Sequence, residues 1–262
     1  MTNFATELSN SLAAAVAAAA PSIVHVGRHA SGIVWADGVV ITASHALPSD
    51  EDISIAGAPA TLAGRDPSTD VAVLRVQSSL APLAFVDGDD AKVGHLVLAA
   101  GRPGPTVRAT LGLLSAVAGE WRTDDGARIE RYFEVDGTLP PGFSGGPLLD
   151  TEGRALGLKT SRLTRAGGTV PAATLRRIVA AILEHGSLRR PFLGIGVYPV
   201  DGGLLIMSVH AGSPAQKAGL MVGDVLTSYQ RPHELNQALR EAAELLLRFT
   251  RGGVAQETRV RV

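Results

Sequence analysis

The stretch Pro-Pro-Gly-Phe-Ser-Gly-Gly-Pro-Leu-Leu-Asp, residues 140–150, decides how the rest of the chain is read. Ser144 stands between Gly142 and the pair Gly145–Gly146, with Pro147 after them. Small residues on both sides let the backbone turn tightly and let a substrate carbonyl come close to it. A serine nucleophile with an oxyanion hole needs both. The same string is also ordinary turn composition, so the reading depends on what accompanies it.

A serine hydroxyl at neutral pH is a weak nucleophile and needs an imidazole as base. That imidazole in turn needs a carboxylate to orient it. Of the seven histidines, His45 in ITASHAL lies at the end of a β-type run, where the chain turns through Ala-Leu-Pro. His25 alternates within a strand, and His29 and His95 lie near turns. His185, His210 and His233 fall in the C-terminal third and are expected on the surface. Among the carboxylates, Asp70 in DPSTDVAVLRV directly precedes an alternating apolar strand. A strand-capping role is its plain alternative, and Asp66 is its nearest rival.

Outside these positions the pattern is strand-like. SIVHVGR, SGIVWADG, VVITASHA, DVAVLRVQ, HLVLAAGR, ATLGLLSAV and RALGLKTS are short β-type runs punctuated by Gly and Pro, with a hairpin signal at Asp37-Gly38. Such a run over residues 22–170 implies an all-β barrel or sandwich. At Pro171 the period changes. Leu175, Ile178, Val179, Ile182 and Leu183 share one helical face, and Gly186 suits the position after the helix. SLRRP follows as a short basic linker, and residues 191–262 read as a small mixed domain.

With 262 residues, 45% hydrophobic and 19% charged, the chain can bury a full core and is not disordered. A net charge of −1 without a basic stripe argues against nucleic acid as a partner. The absence of cysteine excludes a disulfide framework and cysteine-based chemistry or metal sites. The longest apolar run, LAAAVAAAA at 12–20, is too short to span a membrane. It could be a signal-peptide core, but no Lys or Arg precedes it and Glu7 does. An alanine-rich helix over about 3–20, stopped by Pro21, is the preferred reading. A cytoplasmic protein is therefore the favoured expectation, with the periplasm or cell envelope as the alternative.

TASH, then STDVAVL, then GFSGGPLL, in this order, resembles the trypsin-like serine proteases. The helix VPAATLRRIVAAILEHG and the tail AGSPAQKAGLMVGDVL make the chain similar to the HtrA (Deg) family, in which a PDZ domain follows the protease. The resemblance extends over about residues 4–262. It implies a mostly β fold, a trypsin-like double six-stranded β-barrel followed by a small α+β PDZ domain. It divides the chain into an N-terminal helix (1–20), a protease domain (21–186), a linker (187–190) and a short PDZ domain (191–262).

Carried over residue by residue, the resemblance makes Ser144 the nucleophile, His45 the general base and Asp70 the orienting carboxylate. The backbone N–H groups of Gly142 and Ser144 become the oxyanion hole. Thr138, Phe143, Lys159 and Thr160 become the specificity pocket, and Phe192, Leu193, Gly194 and Ile195 the peptide-binding loop of the PDZ domain. No metal or cofactor is implied. The implied partners are unfolded or peptide substrates, C-terminal peptides at the PDZ domain, and a homotrimer for which Phe4 is the candidate contact.

The chain also departs from the family pattern. Phe143 replaces a small polar residue and is expected to alter the floor of the cleft. Thr138 stands where trypsin has its acidic specificity residue, so cleavage after Lys or Arg is not expected, and the family's usual choice is a small or medium apolar side chain. Lys159 stands where the family often has Asn. It could line the pocket, but solvent is preferred because burying a lysine is costly. The loop GRHAS is minimal, and the PDZ domain lacks a segment after GDVLTSYQ. That leaves open a degenerate PDZ that only packs, or a protease fold that rests or acts as a binding protein.

Overall fold

A computed structural model of the chain describes residues 3–123, 126–164, 167–185, 193–242 and 244–261. It divides into two compact units, the second made largely of residues 189–262. Gly186, the linker 187–190 and Phe192 lie outside the described residues.

In the first unit, helix α1 (Phe4–Ala19) starts where the Asn3 side chain accepts a hydrogen bond from the Ala5 N–H, with Glu7 in the positive first turn. Its alanines serve close approach. Ala15 and Ala19 are buried, and the Ala15 backbone lies where a Cβ on Gly153 would have to go. The helix ends in a short 3₁₀ turn, Ala20–Ser22, that carries Pro21.

Six strands then close an antiparallel barrel in the order β1-β2-β3-β6-β5-β4. They are β1 (Ile23–Val26), β2 (Ala30–Ala36), β3 (Val39–Ala43), β4 (Ile53–Ile55), β5 (Ala58–Asp66) and β6 (Val71–Val76). Gly38, at φ 68°, makes the two-residue turn between β2 and β3 that the Asp-Gly pair predicts. Val24, Val26, Val34, Val40 and Leu74 fill the barrel interior.

The second half follows with β7 (Leu96–Gly101), β8 (Arg108–Ala118), β9 (Trp121–Arg122), β10 (Arg128–Ile129), β11 (Tyr132–Val135), β12 (Pro147–Leu149), β13 (Ala155–Thr160) and β14 (Gly168–Pro171). β9 and β10 form a separate ribbon. The other six make one sheet in the order β11-β8-β7-β12-β13-β14, whose end strands β11 and β14 pack against each other. Helix α2 (Ala172–His185) then buries Leu175, Ile178, Val179 and Ile182 in the core formed around Ile41, Val71 and Leu158. Each such side chain contributes about 1.5–3 kcal/mol of hydrophobic free energy.

The second unit is a five-stranded sheet, β15 (Ile195–Val200), β16 (Gly203–Val209), β17 (Val225–Leu226), β18 (Glu244–Arg251) and β19 (Val254–Arg261), paired in that order. Helices α3 (Pro214–Lys217) and α4 (Pro232–Glu241) complete it. β15 is an edge strand, and α4 packs against it and against β18. The short connection after GDVLTSYQ therefore leaves both α4 and the edge strand β15 in place. No helix among the described residues is long and apolar enough to cross a membrane.

Candidate functional site

The site is built where both halves of the first unit send short loops to one cleft of about 680 Å³, lined by His29, His45, Leu139, Gly142, Ser144 and Ser161 among others. His45 sits in a 3₁₀ turn, Ser44–Ala46, directly after β3. Asp70 ends the β5–β6 turn in the left-handed region, at φ 59°. Its carboxylate is 4% exposed and accepts three hydrogen bonds. These come from the His45 N–H (2.8 Å), His45 Nδ1 (2.5 Å) and the Thr160 hydroxyl. An ionised acid so held fixes the ring with its proton on Nδ1 and leaves Nε2 free to accept one. Asp66, the rival acid, is spent locally. It is buried and accepts from the N–H and hydroxyl of Ser68 and the hydroxyl of Thr69.

Ser144 follows a tight turn that only glycine permits at two places. Gly142 has φ 82°, and a Cβ there would meet the His29 carbonyl at 2.6 Å. Gly145 has φ 89°, and a Cβ there would overlap the Ser31 carbonyl. Ser31, fully buried on β2, straps this turn to the barrel. Its hydroxyl donates to the Gly142 carbonyl (2.6 Å) and accepts from the Arg102 N–H (2.7 Å), while its N–H donates to the Ser144 carbonyl (3.2 Å). The N–H groups of Gly142 and Ser144 donate to no partner among the described residues.

Ser144 Oγ does not bond His45 directly. Its hydroxyl donates to Ser161 Oγ at 3.5 Å, and Ser161 Oγ lies 3.3 Å from His45 Nε2. A hydroxyl thus stands between the two groups, in a chain whose donors and acceptors agree if Nε2 is unprotonated. Neither Ser161 nor Ser31 is among the residues singled out from sequence. Two hydroxyls in a row, Thr160-Ser161, at the end of an alternating strand are the signal that points to the first of them.

The four expected pocket residues separate. Thr138 is exposed and is not among the residues that line the cleft. Phe143 is 3% exposed, and its ring lies against Gly101, so it faces the interior and does not alter the cleft floor as expected. The reason is its backbone neighbours: with Gly142 and Gly145 turning the chain, Phe143 points opposite to Ser144. Thr160 is fully buried and holds Asp70. Lys159 is 8% exposed and lines a second cavity, of about 380 Å³, which overturns the preference for solvent. Its backbone donates to the Gly146 carbonyl and accepts from the Gly145 N–H, both at 2.8 Å, and its side chain shares the face of Thr169 across the β13–β14 pair, which is the face that lines this cavity. Burial alone lowers its pKa to about 8.

Of the PDZ loop, Leu193 is buried in the second unit's core, with its carbonyl accepting from Ala215, and Gly194, at φ 79°, leads into Ile195 at the start of edge strand β15. Among the described residues no group of three His, Asp or Glu could hold a metal ion.

Family models match a trypsin-like peptidase domain at residues 30–158 and a PDZ domain at residues 191–262. Two proteins named probable periplasmic serine endoprotease DegP-like are similar in sequence. The one from Chlamydia pneumoniae is 32% identical over 222 residues, covering 75% of this chain and 45% of the relative. The one from Chlamydia trachomatis is 31% identical over 246 residues, covering 84% and 49%. This chain belongs to the HtrA (Deg) family. It spans about half the length of the curated relatives it matches.

Solved structures agree on the HtrA fold. The HtrA-type protease AlgW with a decapeptide superposes with a TM-score of 0.65 at 22% identity, covering 95% of this chain and 97% of that one. The serine endoprotease from Yersinia pestis does so at 0.66 and 23%, covering 96% of each. The expectation of a cytoplasmic protein does not stand, because the relatives are named periplasmic endoproteases. The physical reason is that residues 4–19 form a helix packed on the body of this HtrA-type chain, so their composition reports on packing and carries no information about export.

Proposed function

We propose that the chain is a serine endopeptidase that hydrolyses peptide bonds of unfolded or damaged proteins through an acyl-enzyme. The observation that carries the reading is the Asp70–His45 pair, closed to 2.5 Å beside Ser144 and backed by Thr160. In this scheme Ser144 Oγ attacks the scissile carbonyl and its proton passes to His45 Nε2. Asp70 stabilises the imidazolium, and the imidazolium then protonates the leaving amine. The N–H groups of Gly142 and Ser144 stabilise the developing oxyanion, a donor pair in which each member is typically worth about 100- to 1000-fold in turnover. Water, activated by His45, then hydrolyses the ester. The protease domain is taken as residues 21–186, joined by 187–190 to a PDZ domain at 191–262.

The PDZ domain would bind a C-terminal peptide by strand addition to β15, with the carboxylate on the N–H groups around Leu193–Ile195. The free edge of β15 and the adjacent α4 support this. Phe4, 77% exposed, is the apolar contact available for a homotrimer. The first test is Ser144→Ala with casein as substrate and a fluorophosphonate as label. Cleavage should fall to background, by about a millionfold for removal of such a nucleophile, and the label should map to Ser144. Labelling elsewhere, or none, would sink the reading.

One observation favours a second state of the same site. Ser144 is bonded to Ser161 and not to His45, as in a resting protease awaiting a ligand. Addition of C-terminal peptides should then raise the rate of casein cleavage.

A further inference from the structure

The second cavity holds an electrostatic imbalance. Lys159, on β13, is 8% exposed, and its ammonium has no hydrogen-bond or ion-pair partner among the described residues. Thr169, its cross-strand neighbour on β14, is 2% exposed, and its hydroxyl is buried without a partner. Trp121 lines the same cavity, and its Nε1 is likewise buried and unpartnered. Buried polar groups are normally satisfied, and leaving one unsatisfied costs about 1–3 kcal/mol. Lys159, Trp121 and Thr169 all line one space of about 380 Å³, with Glu134 and Asp136 also on its wall.

The carboxylates on the cavity wall are already engaged. Glu134 accepts from the hydroxyls of Tyr132 (2.5 Å) and Ser115 (3.4 Å). Asp136 accepts from the Leu113 N–H (2.5 Å). The cavity also adjoins the cleft, since Leu139 lines both. Alternation along β13 puts Lys159 on the same face as Ser161, about 7 Å further along the strand, and Ser161 Oγ touches Ser144 Oγ.

We propose that this cavity is the subsite for the substrate residue before the cut and that it selects an acidic side chain, with Lys159 as the counter-charge. The proposal rests on the serine-endopeptidase reading and replaces the apolar preference that the family resemblance implies. It gives the buried lysine a partner only when substrate is bound, so an acidic side chain is drawn in by an ammonium that is already desolvated.

Two measurements test it on the full chain. In the first, peptidyl nitroanilides differing only in the residue before the cut (Glu, Gln, Val, Lys) are compared. Glu should exceed Gln and Val by at least tenfold in kcat/KM, and that ratio should collapse towards one in Lys159→Met. For the Glu substrate kcat/KM should also decline above about pH 8, as Lys159 loses its proton, while the Gln substrate shows no such decline. In the second, product-like peptides ending in Glu or Gln amide are titrated into Ser144→Ala protein, with intrinsic tryptophan fluorescence as the readout. The Glu peptide should bind at least tenfold more tightly.

Equal binding of the two peptides, a Val preference, or a Glu preference that survives Lys159→Met would overturn the proposal. If no nitroanilide is cleaved and no fluorophosphonate labels Ser144, the protease reading falls by itself and the binding measurement still decides the subsite. Should Lys159→Met fail to fold, the Glu/Gln comparison and its pH profile in the natural chain decide.

Discussion

At the scale of single residues, hydroxyl groups control this site as much as the histidine and the acid do. Thr160 and the backbone of His45 keep Asp70 aimed, and Ser161 Oγ lies 3.3 Å from the imidazole nitrogen that faces the cleft. Because Ser161 Oγ, and not Ser144 Oγ, bonds His45 Nε2, its removal frees that nitrogen. Ser161→Ala should raise the second-order rate of fluorophosphonate labelling about three- to tenfold, with casein cleavage following. A fall in that rate would instead make Ser161 a required proton relay. His45, Asp70 and Ser144 are legible in the sequence because each lies in a short motif of its own. Ser161 and Ser31 are not, because their roles depend on contacts 17 to 116 residues away along the chain. Phe143 shows the opposite error. Its place in the motif says nothing about which way the ring points, and packing against Gly101 turns it inward.

At the scale of elements, alternation and turn chemistry place most strands and both long helices of the sequence reading, because half-buried strands and amphipathic helices carry their burial in their period. The boundaries follow less well. GDVLTSYQ reads as a strand, yet only Val225–Leu226 pair. Asp224, just before them, closes a turn from Met221. Its carboxylate is 1% exposed, takes the Met221 N–H, and pairs twice with Arg251 of β18 at 2.7 Å. Burial raises its pKa, and the Arg251 bonds and the Met221 N–H outweigh that, so the net shift is downward. A carboxylate with a lowered folded pKa stabilises above its unfolded value and loses that stability as pH falls through the folded one. Arg251→Ala should destabilise the PDZ unit at pH 7, because it leaves the buried Asp224 carboxylate without its cation. Its deficit relative to the natural chain should shrink as the pH is lowered below about 4, which urea unfolding followed by circular dichroism would show.

At the scale of the whole molecule, the two units should respond differently to alkali. Lys159 has a folded pKa of about 8 against about 10.4 when unfolded. Below pH 8 both states carry the proton and the burial penalty is constant. Between 8 and about 10.4 the unfolded state binds more protons, so stability rises with pH. Lys159→Met should therefore stabilise the first unit by roughly 3 kcal/mol at neutral pH, an advantage that narrows towards pH 10, while the PDZ unit is unaffected. A midpoint for the first unit that does not move with either change would argue against a desolvated ammonium.

The mostly β class, the order of peptidase and PDZ units and the positions of the three motif residues are determined by the sequence alone, because short-range period, turn glycines and local motifs encode them. Only the tertiary structure decides what each side chain faces. It buries Lys159 beside unpartnered donors, turns Phe143 inward, assigns Thr160 to Asp70 and sets Ser161 between Ser144 and His45. Those outcomes depend on which strands become neighbours, and strand pairing joins residues far apart in the chain whose contact no local pattern records.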